Sequence, residues 1–229
     1  MAITTIIFDL GGVLLDIDMP RCLHEIEALG VDVQAMMAKG DAQSPHGATL
    51  CEGMTASGTM HLYQIGAVTT DDFLESIRRC CRPGTTRQQV LDAWNTCLIT
   101  IPPFKLEAIK ALRRQGYRTY MLSNTNEAHW EYIEQTCFPE PVSHYFDDIF
   151  MSQRLGLAKP DRRFYEEVLR CIGVPPSSCL FLDDTQVNCD AAAALGIHVC
   201  KTEIAKTNKQ GAVVRPATEW PDFIDQLLH

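Results

Sequence analysis

A carboxylate stands directly after the first apolar run of the chain. Residues 6–8 are Ile-Ile-Phe, Asp9 follows them, and Gly11 and Gly12 end the run. The run indicates a short buried strand, which the two glycines stop. In an open parallel sheet, ligands bind at the edge formed by the carboxyl ends of the strands. An aspartate close before a glycine pair is also a common turn residue, so Asp9 alone does not define a site.

Two further segments carry groups suited to an anion. Ser123 and Asn124 follow a second apolar run, and a hydroxyl, an amide and the neighbouring backbone N–H groups can donate hydrogen bonds to phosphate. Lys159 precedes Pro160, which holds the lysine in extended backbone, so that its ammonium can point at a fixed target.

A pair of acids, Asp183 and Asp184, follows another apolar run. Two adjacent carboxylates repel each other unless a cation lies between them and Asp9. Their hard oxygen ligands suit Mg²⁺. A carboxylate that attacks phosphorus, a metal held by acids and a cradle for the phosphoryl oxygens together predict phosphoryl transfer through an aspartyl-phosphate.

The elements that must position these groups alternate between strand-like and helix-like patterns. This alternation predicts an α/β fold with a parallel, Rossmann-like sheet. The predicted strands are Ile3–Phe8, Tyr117–Leu122, Asp148–Ser152, Cys179–Leu182 and Ile197–Cys200. The tail Glu203–Ala217 is polar and is expected to run over the surface, before a short helix at Asp222–Leu228.

Residues 20–96 break this alternation, because they show amphipathic helical patterns and no convincing strand. We therefore predict a helical cap domain at 20–96, inserted into a core domain formed by 1–19 and 97–229. Hinges are expected near Asp16–Pro20 and Ile99–Pro103, about which the cap would close over the site.

Composition narrows the class of protein. The net charge of −9 argues against a nucleic-acid partner and gives no reason to expect an anionic membrane. No apolar stretch approaches the ~18 residues of a membrane span, and we see no signal peptide. The ten cysteines lack zinc-ligand spacing and are expected to be reduced thiols in a cytoplasmic protein.

The order of these segments resembles the haloacid dehalogenase superfamily, and the helical insert resembles its C1-type cap. The branch that includes α-D-glucose-1-phosphate phosphatase is similar at residues 8–11, 16–18, 122–126, 152–153 with 159–160, and 181–184. The resemblance implies roles for seven residues. They are Asp9 as nucleophile and metal ligand, the Gly11 carbonyl, Asp183 and Asp184 as further Mg²⁺ ligands, and Ser123, Asn124 and Lys159 as the phosphate cradle.

This chain departs from the family pattern at the position of the general acid. Most phosphatases of this superfamily carry a second aspartate where this chain has Gly11, which has no side chain to protonate a leaving group. Asp16, Asp18 or water could substitute, or the two aspartates could cap the following helix. His129 could approach the site, and Asn188 could orient the metal ligands or cap a helix.

Three functions remain open at this stage. The leading one is a Mg²⁺-dependent phosphatase acting on a small phosphometabolite, such as a sugar phosphate, as a monomer or weak homodimer. A 2-haloacid dehalogenase also uses an aspartate nucleophile, but it needs no metal, so Asp183 and Asp184 disfavour it. A non-catalytic protein that binds phosphoesters is the third, because Gly11 lacks the acid.

Overall fold

The core of the fold is a five-stranded parallel sheet. The computed structural model describes residues 2–33, 58–208 and 211–228. The strands lie in the order β5-β4-β1-β6-β7. Their bounds are β1 Thr5–Phe8, β4 Arg118–Ser123, β5 Asp148–Met151, β6 Cys179–Asp183 and β7 His198–Lys201.

The register of the sheet brings three strand ends together. Phe8 of β1 pairs with Met121 of β4 on one side and with Leu182 of β6 on the other. All four residues of β1 are buried, as expected for a central strand covered on both faces. The polar residues that follow these three strands therefore share one edge, as the sequence predicts.

Helices pack on both faces of the sheet, where buried side chains form two clusters. The described α-helices, including those of the insert, are α1 Met19–Ala28, α2 Thr59–Gln64, α3 Thr70–Arg78, α4 Arg87–Asn95, α5 Pro103–Arg114, α6 Glu127–Thr136, α7 Ser152–Leu155, α8 Arg162–Ile172, α9 Gln186–Ala193 and α10 Trp220–Leu228. None of the described helices is long and apolar enough to cross a membrane.

The predicted α/β fold is confirmed, and each core strand lies within two residues of its predicted bounds. The described part of the insert consists of α1 to α4, and local signals explain where these helices begin. The Thr69 hydroxyl accepts a hydrogen bond from the Asp72 N–H at the start of α3, and Thr86 with Gln89 forms a capping box at α4. The domain boundaries at residues 20 and 96 stay a prediction.

A short antiparallel pair joins the two ends of the insert, which the sequence did not predict. In it, β2 (Asp16–Ile17) pairs with β3 (Leu98–Thr100), with Asp16 opposite Thr100. The expected hinges coincide with this pair, so both connections run side by side. Strands of two and three residues carry too little pattern to be recognised in sequence.

The C-terminal tail at 203–217, predicted to run over the surface, forms a small hairpin, β8 (Lys206–Thr207) with β9 (Val213–Val214). Beyond the hairpin, Glu219 and Trp220 are buried. The nine described cysteines are all free thiols.

Candidate active site

Asp9 follows β1 at the carboxyl edge of the sheet. Its backbone N–H donates to the carbonyl of Leu182 at 2.9 Å, which continues the pairing of β1 with β6. Its Oδ1 accepts hydrogen bonds from the Leu10 N–H at 2.7 Å and from the Lys159 ammonium at 2.8 Å. Its Oδ2 accepts none from the described residues. One carboxylate oxygen is thus held by the protein, and the other is left for a ligand.

Lys159 places a buried cation between two acids. Its Nζ lies 2.8 Å from Oδ1 of Asp9 and 2.7 Å from Oδ2 of Asp183. The ammonium also lies 5.4 Å from the centre of the Phe181 ring, which adds a cation–π contact. Burial alone would lower the pKa of Lys159, but Asp183 and Asp9 outweigh it and raise the pKa above its ordinary value.

The main chain of Lys159 is held as firmly as its side chain. Asn124 donates from Nδ2 to the Lys159 carbonyl and accepts the Lys159 N–H at Oδ1, both at 2.8 Å. The sequence predicts Asn124 as a phosphate donor, and its amide instead joins the loop after β4 to the loop that carries the lysine. Ser123, the last residue of β4, is buried at the same edge of the sheet.

Asp183 has both oxygens occupied. Besides Lys159, its carboxylate accepts the Thr185 N–H at 2.8 Å, and Asn188 Nδ2 lies 3.1 Å from each oxygen. The carbonyl of Asn188 in turn accepts the Tyr165 hydroxyl at 3.0 Å. The side chain of Asp183 is fully buried. This geometry makes Asp183 an anchor for Lys159, and Asn188 orients it.

Asp184 is more open than its neighbour, and it lies against the loop after Asp9. A Cβ at Gly12 would meet Cγ of Asp184 at 2.9 Å, and Gly12 has a φ of +77°. Gly12 is therefore required both by its left-handed backbone and by the close approach of this carboxylate. No side-chain donor among the described residues occupies the Asp184 oxygens, which leaves them for a ligand.

The electrostatics of this cluster favour an added cation. Three carboxylates, those of Asp9, Asp183 and Asp184, place ligand atoms within 4.8 Å of one another, and one ammonium, that of Lys159, leaves two excess negative charges. Burial, with the neighbouring acids, raises the pKa of Asp9 to about 7. Burial and Asp183 raise the pKa of Asp184 to about 6. A divalent cation would relieve both effects.

The backbone of Gly11 lies beside this cluster, and its φ is outside the left-handed region. A Cβ built on Gly11 would meet the Ile17 side chain at an ordinary 3.7 Å. The pairing of β2 with β3 shifts register between Asp16 and Ile17, and a Cβ on Gly11 would meet Ile17 rather than Asp16. The Asp16 carboxylate instead faces Arg215 and Lys105.

This geometry corrects the expectation that Asp16 could supply the missing acid. Burial raises the pKa of Asp16 although Lys105 and Arg215 oppose the shift, but its carboxylate is enclosed by these two cations. Asp18 is the N-cap of α1, where its Oδ1 accepts the Arg21 N–H at 3.1 Å. Capping, which the sequence left as the alternative for Asp18, is what the structure shows.

Residues 3–196 match the family described as haloacid dehalogenase-like hydrolase. The chain belongs to the haloacid dehalogenase-like hydrolases. This confirms the superfamily predicted from the ordered segments, whereas the narrower likeness to the α-D-glucose-1-phosphate phosphatase branch stays a prediction.

Relatives of this hydrolase include characterised and solved proteins. The D-ribitol-5-phosphate phosphatase of Bacteroides thetaiotaomicron is 28% identical over 88% of this chain and 92% of its own length. The family enzyme BT-2542 of the same organism, solved with magnesium and inorganic phosphate, has a TM-score of 0.77 at 28% identity and covers 91% of this chain and 98% of its own. A predicted hydrolase from Porphyromonas gingivalis has a TM-score of 0.80 at 26% identity, covering 100% and 99%.

Contacts between the hydrolase core and the insert involve residues that the sequence did not single out. The Tyr63 hydroxyl of α2 accepts the Ala128 N–H of α6 at 2.9 Å and lies 3.0 Å from the Thr70 hydroxyl. A Cβ at Gly66 would meet the Gln153 carbonyl at 2.1 Å, so only glycine permits this approach. A lone tyrosine in a helical pattern gives no signal of such a contact.

His129, expected near the site, lies at this same junction. Its ring stacks on Trp94 of α4 at 4.7 Å, and its Nε2 lies 3.2 Å from the Trp94 carbonyl. Burial lowers the pKa of His129 to about 4, and the Trp94 carbonyl only partly opposes this. Trp130, the residue after His129, is a core residue with 1% of its surface exposed.

Proposed function

We propose that this hydrolase is a Mg²⁺-dependent phosphatase that forms a phosphoryl intermediate on Asp9. The observation that carries the proposal is the buried cluster of Lys159 with Asp9, Asp183 and Asp184 at the carboxyl edge of the sheet. The magnesium and phosphate in the solved relative support the same chemistry.

The donor set fits Mg²⁺. Its ligand atoms are carboxylate oxygens that lie within 4.8 Å of one another. Mg²⁺ prefers such hard oxygen ligands and would bind them at ~2.1 Å. We assign Asp9 and Asp184 as direct ligands, with the backbone carbonyl of Gly11 beside them. Asp183 acts mainly through Lys159, because its oxygens are already engaged. When bound, the metal would neutralise developing charge on the phosphoryl oxygens.

Each residue of the site has its own role in the proposed reaction. A carboxylate oxygen of Asp9 attacks phosphorus, and the bond from phosphorus to the leaving oxygen breaks. Lys159 donates to the phosphoryl oxygens and orients Asp9, and Ser123 lines the same edge. Asn124 positions Lys159 through its main chain. Water protonates the leaving oxygen, since Gly11 has no side chain, and a second water hydrolyses the aspartyl-phosphate.

We infer a phosphorylated sugar or polyol as the substrate class. The support is the similarity to a D-ribitol-5-phosphate phosphatase and the sequence resemblance to sugar-phosphate phosphatases. The helical insert over the site, α1 to α4, acts in this proposal as the cap that selects the leaving group. We propose that the protein is a monomer or weak homodimer in the cytoplasm. We propose no nucleic-acid or membrane partner for it.

Phosphate release from a panel of esters tests the proposal. The panel holds nitrophenyl phosphate, a polyol 5-phosphate and an anomeric sugar phosphate, each with Mg²⁺ and with EDTA. We expect turnover with Mg²⁺ and its loss with EDTA. Chloride release from a 2-haloacid that survives EDTA would instead show a dehalogenase. Phosphate binding without any turnover would show a non-catalytic protein.

A further inference from the structure

A second buried charge cluster lies behind the nucleophile loop, outside the site described above. It contains two acids, Asp16 and Glu219, and two cations, Lys105 and Arg215. Lys105 Nζ lies 2.6 Å from Oε2 of Glu219 and 3.9 Å from Oδ1 of Asp16. Arg215 donates to Oδ2 of Asp16, and its Nε lies 3.9 Å from Oε1 of Glu219.

These four residues come from three parts of the chain. Asp16 belongs to β2, directly after the loop that begins at Asp9. Lys105 lies in the first turn of α5, just beyond β3. Arg215 and Glu219 lie in the C-terminal segment, and Arg215 is 199 residues from its partner Asp16. The cluster therefore joins both connections of the insert to the C-terminal segment.

A neighbouring contact reaches the nucleophile loop itself. The indole N–H of Trp220 donates to the Val13 carbonyl at 3.2 Å, and the Trp220 ring lies 4.9 Å from the ring of Phe8. Phe8 is the residue immediately before the nucleophile. The C-terminal segment thus holds the strand before Asp9 and the loop after it.

This segment lies outside the shared family pattern, whose match ends at residue 196. Charged side chains buried to this degree are costly unless they are paired, and here the side chains of Lys105 and Asp16 are each 2% exposed. A surface tail that merely covered the core would need only apolar contacts. The charges instead specify one register between the tail and β2.

We propose that Arg215 is a positioning residue, which holds the loop from Asp9 to Ile17 in the geometry required for attack on phosphorus through its ion pair with Asp16. Ile17 follows Asp16 directly and faces Gly11, so a shift of Asp16 moves the backbone beside the nucleophile. The phosphate cradle keeps its place, because Ser123 ends β4 and Lys159 lies in a different loop. This inference rests on the proposed phosphatase function.

The test is Arg215→Met, with Arg113→Met as the matched control. Arg113 also pairs with an aspartate, Asp147, at 3.0 Å, and its side chain is 27% exposed against 31% for Arg215. We expect Arg215→Met to lower kcat for nitrophenyl phosphate by about 10- to 100-fold, because small misplacements of reacting groups are this costly. Inhibition by inorganic phosphate should change less than about threefold, because it reports the intact cradle.

Two further variants distinguish positioning from simple loss of stability. Arg215→Lys keeps a charge but not the shape of the guanidinium, and it should recover part of kcat. Asp16→Asn combined with Arg215→Met should lower kcat no further than Arg215→Met alone, because both changes break one interaction. If Arg215→Met does not fold, the Arg215→Lys and Glu219→Gln variants carry the same comparison.

Hydrogen exchange provides a readout that does not need activity. Peptides covering residues 10–18 should exchange faster in Arg215→Met than in the wild type or in Arg113→Met, with Mg²⁺ and phosphate present. Unchanged exchange there, or a kcat within twofold of wild type, overturns the inference. A wild-type protein without turnover would refute the phosphatase proposal, and the exchange comparison would still decide whether Arg215 positions the loop.

Discussion

The ammonium of Lys159 lies 2.8 Å from Oδ1 of Asp9, and this contact holds the proposed nucleophile with one oxygen engaged and one oxygen open. The same ammonium is anchored by Asp183 at 2.7 Å. The lysine therefore both orients the nucleophile and offers positive charge where a phosphoryl group would sit. Variants of Asp9 and of Lys159 separate these two contributions.

Removing the charge of Asp9 should abolish turnover. Asp9→Asn preserves the shape but deletes the attacking oxygen anion and a proposed metal ligand, so we expect kcat to fall by several orders of magnitude. Phosphate release with saturating Mg²⁺ measures this. Asp92→Asn, on the exposed side of α4, is the control and should keep full activity. Near-normal turnover by Asp9→Asn would show that the site is elsewhere.

Lys159→Ala should weaken phosphate binding as well as turnover. It removes a fixed cation from the developing negative charge, and it leaves Asp9 and Asp183 without their shared partner. Calorimetry with inorganic phosphate measures the binding. Lys110→Ala serves as a control, since Lys110 pairs with Glu140 at 2.8 Å and lies far from Asp9 in sequence. Equal phosphate affinity in wild type and Lys159→Ala would contradict the role.

The stability of the metal-free protein should fall as the pH rises. Burial raises the pKa of Asp9 to about 7 and that of Asp184 to about 6, against an ordinary 3.8. Groups with raised carboxyl pKa values stabilise the fold while protonated, and this contribution is lost as the pH rises through the folded-state values. Mg²⁺ should reverse the loss, since it favours the ionised forms.

Thermal melts with EDTA or Mg²⁺ measure this effect. We expect Mg²⁺ to raise the Tm more at about pH 8 than at about pH 5, where protons compete for the same oxygens. The difference should shrink in Asp184→Asn, which removes one proposed ligand and one titrating group. A shift in Tm that is the same at both pH values would count against binding at these carboxylates.

Gly11 should make turnover sensitive to the leaving group. Anomeric and nitrophenyl phosphates should be hydrolysed faster than primary alkyl phosphates, whose leaving oxygens need a proton. Gly11→Asp should raise turnover of the alkyl esters by about 10²-fold or more, the usual contribution of a general acid. The backbone at Gly11 accepts a side chain, because its φ is not left-handed and a Cβ would meet only Ile17 at 3.7 Å.

Gly11→Ala is the matched control, since it adds the same Cβ without the carboxyl group. It should leave the preference among esters unchanged. If the wild type hydrolyses primary alkyl and anomeric phosphates equally fast when chemistry limits the rate, another group supplies the proton. That outcome is of interest because ribitol 5-phosphate, named for a relative, is itself a primary alkyl ester.

Tyr63→Phe should loosen the insert. It deletes the acceptor of the Ala128 N–H, and leaving a buried donor without a partner costs about 1–3 kcal/mol. We expect faster hydrogen exchange in α2 and α3, and a smaller protection of these helices by BeF₃⁻ in the presence of Mg²⁺. Tyr132→Phe, at an exposed position of α6, should show neither change. Unaltered exchange in Tyr63→Phe would mean that this contact does not hold the insert.

The sequence alone determined the kind of fold and the edge that carries the chemistry. Each apolar run ends in a polar group, and parallel strands place their carboxyl ends on one side of a sheet. Asp9, Ser123 and Asp183 could therefore be brought together without coordinates. The helical character of α1 to α4 was also readable, since caps and apolar spacing are local signals.

Only the tertiary structure decided which role each polar residue takes at that edge of the sheet. Asp183 and Asp184 are adjacent and chemically identical, and only the packing of Lys159 and Asn188 occupies the first and leaves the second open. The amide of Asn124 likewise has its hydrogen-bond partner, Lys159, in a loop 35 residues away. Which partner a polar side chain meets depends on how distant segments approach, and no local pattern records that.

The role of Asp16 shows the same limit most clearly. Its sequence position, close behind Asp9, suggested an acid for the reaction. In the folded chain its carboxylate meets Arg215, 199 residues away. The direction of a side chain in a strand of two residues depends on the pairing with β3, whose register shifts between Asp16 and Ile17, and that pairing closes a loop around the whole insert. Its register is a property of the folded chain, which sequence periodicity does not contain.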